Sequence, residues 1–201
     1  MKLSLLLPVA AAIALPTLRL EAAERTPVIV TNPDAPAATE DKPAFLYFKE
    51  GIITRKGKNK IEFDLTMADS IPAGTDRNRE LVFWVKFDLD NTTKTGKAPI
   101  TFPSFGQDIF CCIYKPRGTS QWKTYSDTSN ITGRSETLEI SKVRVSGDKV
   151  GFELSSPLLG EFPVSRCLLL SGTSQFEKGA ETSGNTTDQL PRGGAFTING
   201  D

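Results

Sequence analysis

The chain has no histidine among its 201 residues. That absence removes the usual neutral-pH general base, the commonest zinc ligand and the axial ligand of most haem proteins. Ser-His-Asp and Cys-His catalytic units are excluded outright. Cysteine is scarce: Cys111, Cys112 and Cys167 cannot all pair within one chain, and none sits in a CxxC or other metal-ligand spacing. Beyond the N-terminus no apolar run is long enough to cross a bilayer, no helical stripe outlasts a turn or two, and no internal repeat occurs.

Neither sign of charge predominates, with 24 basic and 24 acidic residues. Such a balance argues against nucleic acid as the partner. The N-terminus reads as an export signal over residues 1–23: Lys2 is followed by an apolar stretch from Leu5 to Leu15, and small residues allow cleavage near Ala23. The alternative is a retained anchor or an interfacial helix. Without Lys2, Arg19 and Glu21 the charge totals become 22 basic and 23 acidic, a net of about −1. The predicted product is therefore a secreted or periplasmic protein of one ordinary domain, and 38% hydrophobic residues suffice for a real core.

Residues 24–43, rich in Pro, Ala, Thr and acidic residues, are expected to form an extended linker with at most a short strand at Val28 to Val30. From residue 44 to 201 short alternating runs are separated by Gly, Pro, Asn, Asp and Ser. In Lys60 to Thr66, Ile61, Phe63 and Leu65 oppose Lys60, Glu62 and Asp64, which predicts a sheet with one wet face. Leu81, Phe83, Val85, Phe87 and Leu89 form the core face of a strand over Glu80 to Asp90. Val143 and Val145 answer Val150, Phe152 and Leu154 across a turn at Ser146-Gly147-Asp148, and Pro157 to Gly160 predicts one helical turn. The fold class expected is all-β, a two-sheet antiparallel sandwich with short helical turns.

The densest chemistry lies in FDLDNTTKTG, Phe87 to Gly96, and in the turn Gly106-Gln107-Asp108. Asp88, Asp90 and Asp108, with Asn91, Thr95 and nearby carbonyls, could surround a hard cation such as calcium. The alternative is a solvated turn in which Asx side chains bond their own backbone. Trp84, Trp122 and Tyr125 have polar neighbours suited to stacking on a sugar face, unless the rings cover the second face of the sheet beneath a loop. Cys111 and Cys167 could bridge if they lie on neighbouring strands, or all three cysteines pack as buried thiols. Asp88 with Asp90 and Glu136 with Glu139 offer carboxylate pairs, but nothing marks a cleft or an asymmetric pKa between them. Asn91, Asn130 and Asn185 each open a glycosylation acceptor triplet.

Four landmarks occur in order: FDLDNTTKTG, GQDIFCCIY, VGFELSSPLLG and DQLPRGGAFTI. Together they resemble the secreted β-sandwich domains of family-nine carbohydrate-binding modules and the DOMON superfamily. The likeness departs at Ile109, where tyrosine is usual, and at Cys111-Cys112. It implies a jelly-roll-like, non-catalytic module with structural calcium and a carbohydrate or other extracellular ligand. Haem-binding members use Met and His; this chain has Met67 and no histidine, so no haem is expected. A structural or protein-contacting module of an envelope or matrix is the second expectation, and a glycoside-active hydrolase the third. The assembly state is not legible.

Overall fold

The computed structural model describes residues 25–74, 80–97, 102–128, 136–162, 164–174 and 186–199. The expected signal and the acceptor sites at Asn130 and Asn185 lie outside them. Among the described residues eleven strands follow in order: β1 Val28–Thr31, β2 Phe48–Arg55, β3 Lys60–Met67, β4 Glu80–Asp88, β5 Ile109–Lys115, β6 Lys123–Asp127, β7 Glu139–Ser146, β8 Lys149–Ser155, β9 Val164–Ser174, β10 Thr186–Leu190 and β11 Phe196–Asn199. One short helix, α1, spans Pro157–Glu161, with Ser156 Oγ capping Leu158 N. Among the described residues no helix is long and apolar enough to cross a membrane.

The strands make two antiparallel sheets, as the alternation predicts. One has the order β1-β2-β3-β8-β7, the other β10-β9-β4-β5-β6, and β11 pairs with the remaining half of the β9 edge. The core between them contains the predicted faces: Ile61, Phe63 and Leu65 from β3, Val150, Phe152 and Leu154 from β8, and Leu81, Phe83, Val85 and Phe87 from β4. Phe63 stacks on Phe152 with ring centres 5.0 Å apart and meets Phe87 edge-on at 6.4 Å. Such contacts fix the layers relative to one another. The β7–β8 hairpin turns through Gly147, whose φ of 57° lies in the left-handed region that glycine tolerates.

Part of the segment expected to be a tether enters the fold, at the short strand anticipated over Val28 to Val30. Val28 to Thr31 add β1 to the first sheet, and Asn32 is buried, donating to Gln189 O at 2.7 Å and accepting from Arg192 N. The two layers are stitched at this edge by Asp188, which accepts from Phe48 N at 2.9 Å and from Arg192 Nε and Nη2 at 2.8 and 2.9 Å.

The second sheet is apolar on both faces. Every residue of β4 is buried, and Val82, Trp84, Phe110, Cys112, Tyr114, Leu168 and Leu170 form a second cluster behind the sheet with Phe105. The outer face of the first sheet is instead polar. There Arg144 reaches Glu62 and Asp64, and Lys60 and Lys142 pair with Glu153.

Candidate metal centre

Asp88 ends β4, the central strand of its sheet, and Asp108 immediately precedes β5, which pairs with it. Antiparallel pairing therefore returns the chain to the corner it left, with residues 89–107 as the connection. Asp88, Asp90 and Asp108 meet there, each offering a carboxylate oxygen within 4.8 Å of the others. Asp88 and Asp108 are buried and Asp90 is exposed.

The two acidic motifs grip each other reciprocally. Leu89 N donates to Asp108 Oδ2 at 2.8 Å, while Gly106 N donates to Asp88 Oδ2 at 3.2 Å. Lys97 and Gln107 close the loop by exchanging backbone hydrogen bonds of 2.9 and 3.0 Å. Glycine makes that approach feasible. A Cβ on Gly106 would overlap the carbonyl of Thr92 and sit 2.7 Å from that of Thr95, and one on Gly96, where φ is 69°, would sit 2.5 Å from Gln107 O. Asn91 takes a left-handed φ of 57° at the turn.

Local bonds complete the loop. Thr92 N donates to Asp88 Oδ1 and Asp90 Oδ1, and Thr95 Oγ1 donates to Asp90 Oδ2 at 2.7 Å. Turn bonding of the Asx kind is thus present, but the Asp88–Gly106 and Asp108–Leu89 bonds span 18 and 19 residues and go beyond it. The three aspartates converge, Thr95 Oγ1 reaches them through Asp90, and Asn91 turns the loop around them.

Electrostatics at this corner are unbalanced. Burial is the largest effect on Asp108, with the Asp90 and Asp88 carboxylates adding to it, and together they push its pKa up to about 6 against backbone hydrogen bonds. Asp88 is likewise raised, chiefly by burial, although Gly106 N and Arg166 pull the other way. Arg166 Nη1 lies 3.4 Å from Asp88 Oδ2, its guanidinium over the Phe105 ring and donating to Ser104 O. Sequence reading missed Arg166. Its signal is a cation set in an apolar strand directly opposite Asp88 in the β4–β9 register.

Three carboxylates against one guanidinium leave two negative charges when all ionise, the charge of one divalent cation. Oxygens 2.3–2.6 Å from a common calcium can stand up to about 5 Å apart, so a 4.8 Å spread fits. Asp88, Asp90 and Asp108 would hold the ion. Bound there, it would supply charge neutralisation and a rigid crosslink.

The aromatic expectations fare differently. Trp84 is 5% exposed inside the cluster behind the second sheet, whereas Trp122 packs on the inner core beside Phe83, ring centres 5.8 Å apart. The two rings stand on opposite sides of one sheet and form no shared platform. Tyr125 is 39% exposed, next to Phe110. No described surface unites the three.

The disulfide expectation is also corrected: Cys111, Cys112 and Cys167 are buried, and none of them forms a disulfide. Cys111 lies on β5 and Cys167 on β9, with β4 between them. Two strand spacings put their backbones about 10 Å apart, beyond the ~7 Å limit of a disulfide. Burial raises the pKa of both thiols well above the ordinary value.

Comparison with known proteins yields no match to any family model, any curated protein or any solved structure. The likeness to family-nine carbohydrate-binding modules accordingly rests on the motifs and their order.

Proposed function

We propose that this chain is an exported, non-catalytic binding module for a carbohydrate or another extracellular ligand, its rim closed by a structural calcium. The observation that carries this reading is the reciprocal bonding of Asp88 and Asp108, because it joins the two motifs on which the family resemblance chiefly rests. Calcium would hold Leu89 to Gln107 against the sheet rather than act on a substrate.

The tryptophans cannot carry ligand recognition jointly, so we assign it to the polar face of the first sheet. A trough of about 450 Å³ there is lined by Glu50, Asp64, Thr66, Arg144, Lys149 and Gly151. Gly151 leaves room for Arg144 to lie flat, since a Cβ would come 2.5 Å from its Nε. Cationic donors, carboxylate acceptors and the Thr66 and Ser146 hydroxyls spread over an open sheet suit hydroxyl-rich ligands.

A glycan array tests this reading. Binding that falls at least about tenfold in Arg144→Ala and survives in Trp84→Phe is expected. Loss in Trp84→Phe with retention in Arg144→Ala would overturn the assignment. The alternative, a protein-contacting envelope or matrix module, is favoured by Ile29, 60% exposed on the edge strand β1. Absence of all glycan binding would favour it.

A further inference from the structure

Arg55 ends β2 pointing into the space between the two layers and is 4% exposed. Its Nη2 donates to Lys58 O at 2.9 Å and to Leu159 O, tying the β2–β3 turn to the end of α1. That structural duty uses two of the five N–H donors of a guanidinium. Nε and Nη1, both buried, have no hydrogen-bond partner. Three N–H hydrogens on a permanent cation are therefore left without acceptors in a setting where burial normally demands pairing.

The surroundings deepen the anomaly. Arg55 lines a recess of about 370 Å³ with Arg25, Thr26, Val28, Ile53, Ile198 and Asn199, so its walls come from both sheets. Desolvation lowers the Arg55 pKa, and the neighbouring charge acting on it is another cation, Arg25. Among the described residues no carboxylate pairs with Arg55. At about 30 Å³ per water the recess has space for on the order of ten waters, more than a bare oxyanion requires. Val28, Ile53 and Ile198 make part of that extra wall apolar.

We propose that this interlayer recess binds the oxyanion head of a small organic acid, with the Nε and Nη1 hydrogens of Arg55 as its buried donors. Arg25 adds a second positive charge at the recess, and the aliphatic wall takes the body of the ligand. A carboxylate and a phosphoryl group present the same acceptor oxygens, and planar guanidinium donors serve either. The site is independent of the acidic corner and of any calcium there.

The test is proton–nitrogen NMR of the arginine Nε–H resonances in calcium-free protein at constant ionic strength, with chloride replaced stepwise by acetate or by phosphate. The Arg55 signal, assigned by its loss in Arg55→Met, is expected to shift saturably with at least one of the two and to stay fixed in chloride. Calorimetry of Arg55→Met should show that anion bound at least about tenfold more weakly. Tighter acetate identifies a carboxylate ligand, tighter phosphate a phosphoryl ligand. If Arg55→Met does not fold, Arg55→Lys retains the charge, supplies the assignment and should still bind more weakly. An Arg55 signal unmoved by both anions, or undiminished binding in the variant, would overturn the proposal and leave the recess to water.

Discussion

Gly106 and Asp108 stand two residues apart and set what the acidic corner can do, one by having no side chain and the other by having a charge in the wrong solvent. Alanine at Gly106 would drive a Cβ into the Thr92 and Thr95 carbonyls, which belong to backbone and cannot rotate aside. We expect Gly106→Ala to lose about 3 kcal/mol in urea denaturation, the upper part of the usual range for overpacking. Asp108 makes a pH prediction with a definite sign. Its folded pKa of about 6 lies above the ordinary aspartate value of 3.8, so the folded state holds the proton more tightly than the unfolded chain. Calcium-free protein is then most stable below about pH 4 as far as this group is concerned, and loses that contribution as pH rises to about 6. Asp108→Asn should flatten the slope over this window in urea titrations and should also abolish any stabilisation by calcium. The aspartates were legible in the sequence because Asp88, Asp90 and Asp108 flank strands that alternation alone brings together. Arg166 was not, since a lone arginine in VSRCLLL declares its partner only once the β4–β9 register is known.

At the level of elements, β4 organises the second sheet, and its two-sided burial decides the fate of both the cysteines and the tryptophans. Alternation in Glu80 to Asp90 revealed the inner face correctly, although the strand itself ends at Asp88. It could not reveal that the outer face is also dry, although the unbroken apolar run Ile109 to Tyr114 in β5 carries that message in the way of strands covered on both sides. Trp84 is consequently a packing residue, and its polar neighbour Lys86 is buried with Nζ 5.8 Å from the Phe110 ring centre. The same strand order separates Cys111 from Cys167, which no reading of sequence spacing could foresee. Alkylation of the unfolded, unreduced protein is expected to modify all three cysteines, and alkylation of the folded protein none, as judged by mass spectrometry. A mass two units low with one modified thiol would contradict the strand order. Hairpin β7–β8 and helix α1 were readable to within a residue or two because turn and capping signals are local.

Over the whole molecule, the two layers are joined by polar clasps as well as by the aromatic core. Asp188 from the second sheet accepts from Phe48 N of the first and is gripped by Arg192, while Asn32 ties the N-terminal strand to the same corner. Asp188→Ala would strand a buried N–H and a guanidinium, and we expect it to cost roughly 2 to 3 kcal/mol of unfolding free energy. The clasp at Asn32 helps explain why residues 28–32 belong to the sandwich despite a composition that reads as linker: Val28 to Thr31 pair with β2, and the partners of Asn32 lie more than 150 residues away in DQLPR. At the acidic corner three carboxylates face one guanidinium, Arg166, and an ion would complete the clasp.

Thermal melting at neutral pH, in excess calcium and then in chelator, tests that account most directly. A site filled at 100 times its dissociation constant should raise the melting temperature on the order of 5 to 10 °C, and the rise should vanish in chelator and in Asp108→Asn. Identical melting of the parent protein in calcium and in chelator would contradict a calcium-closed rim and leave Asp88, Asp90 and Asp108 as a corner held by backbone hydrogen bonds, Arg166 and a retained proton.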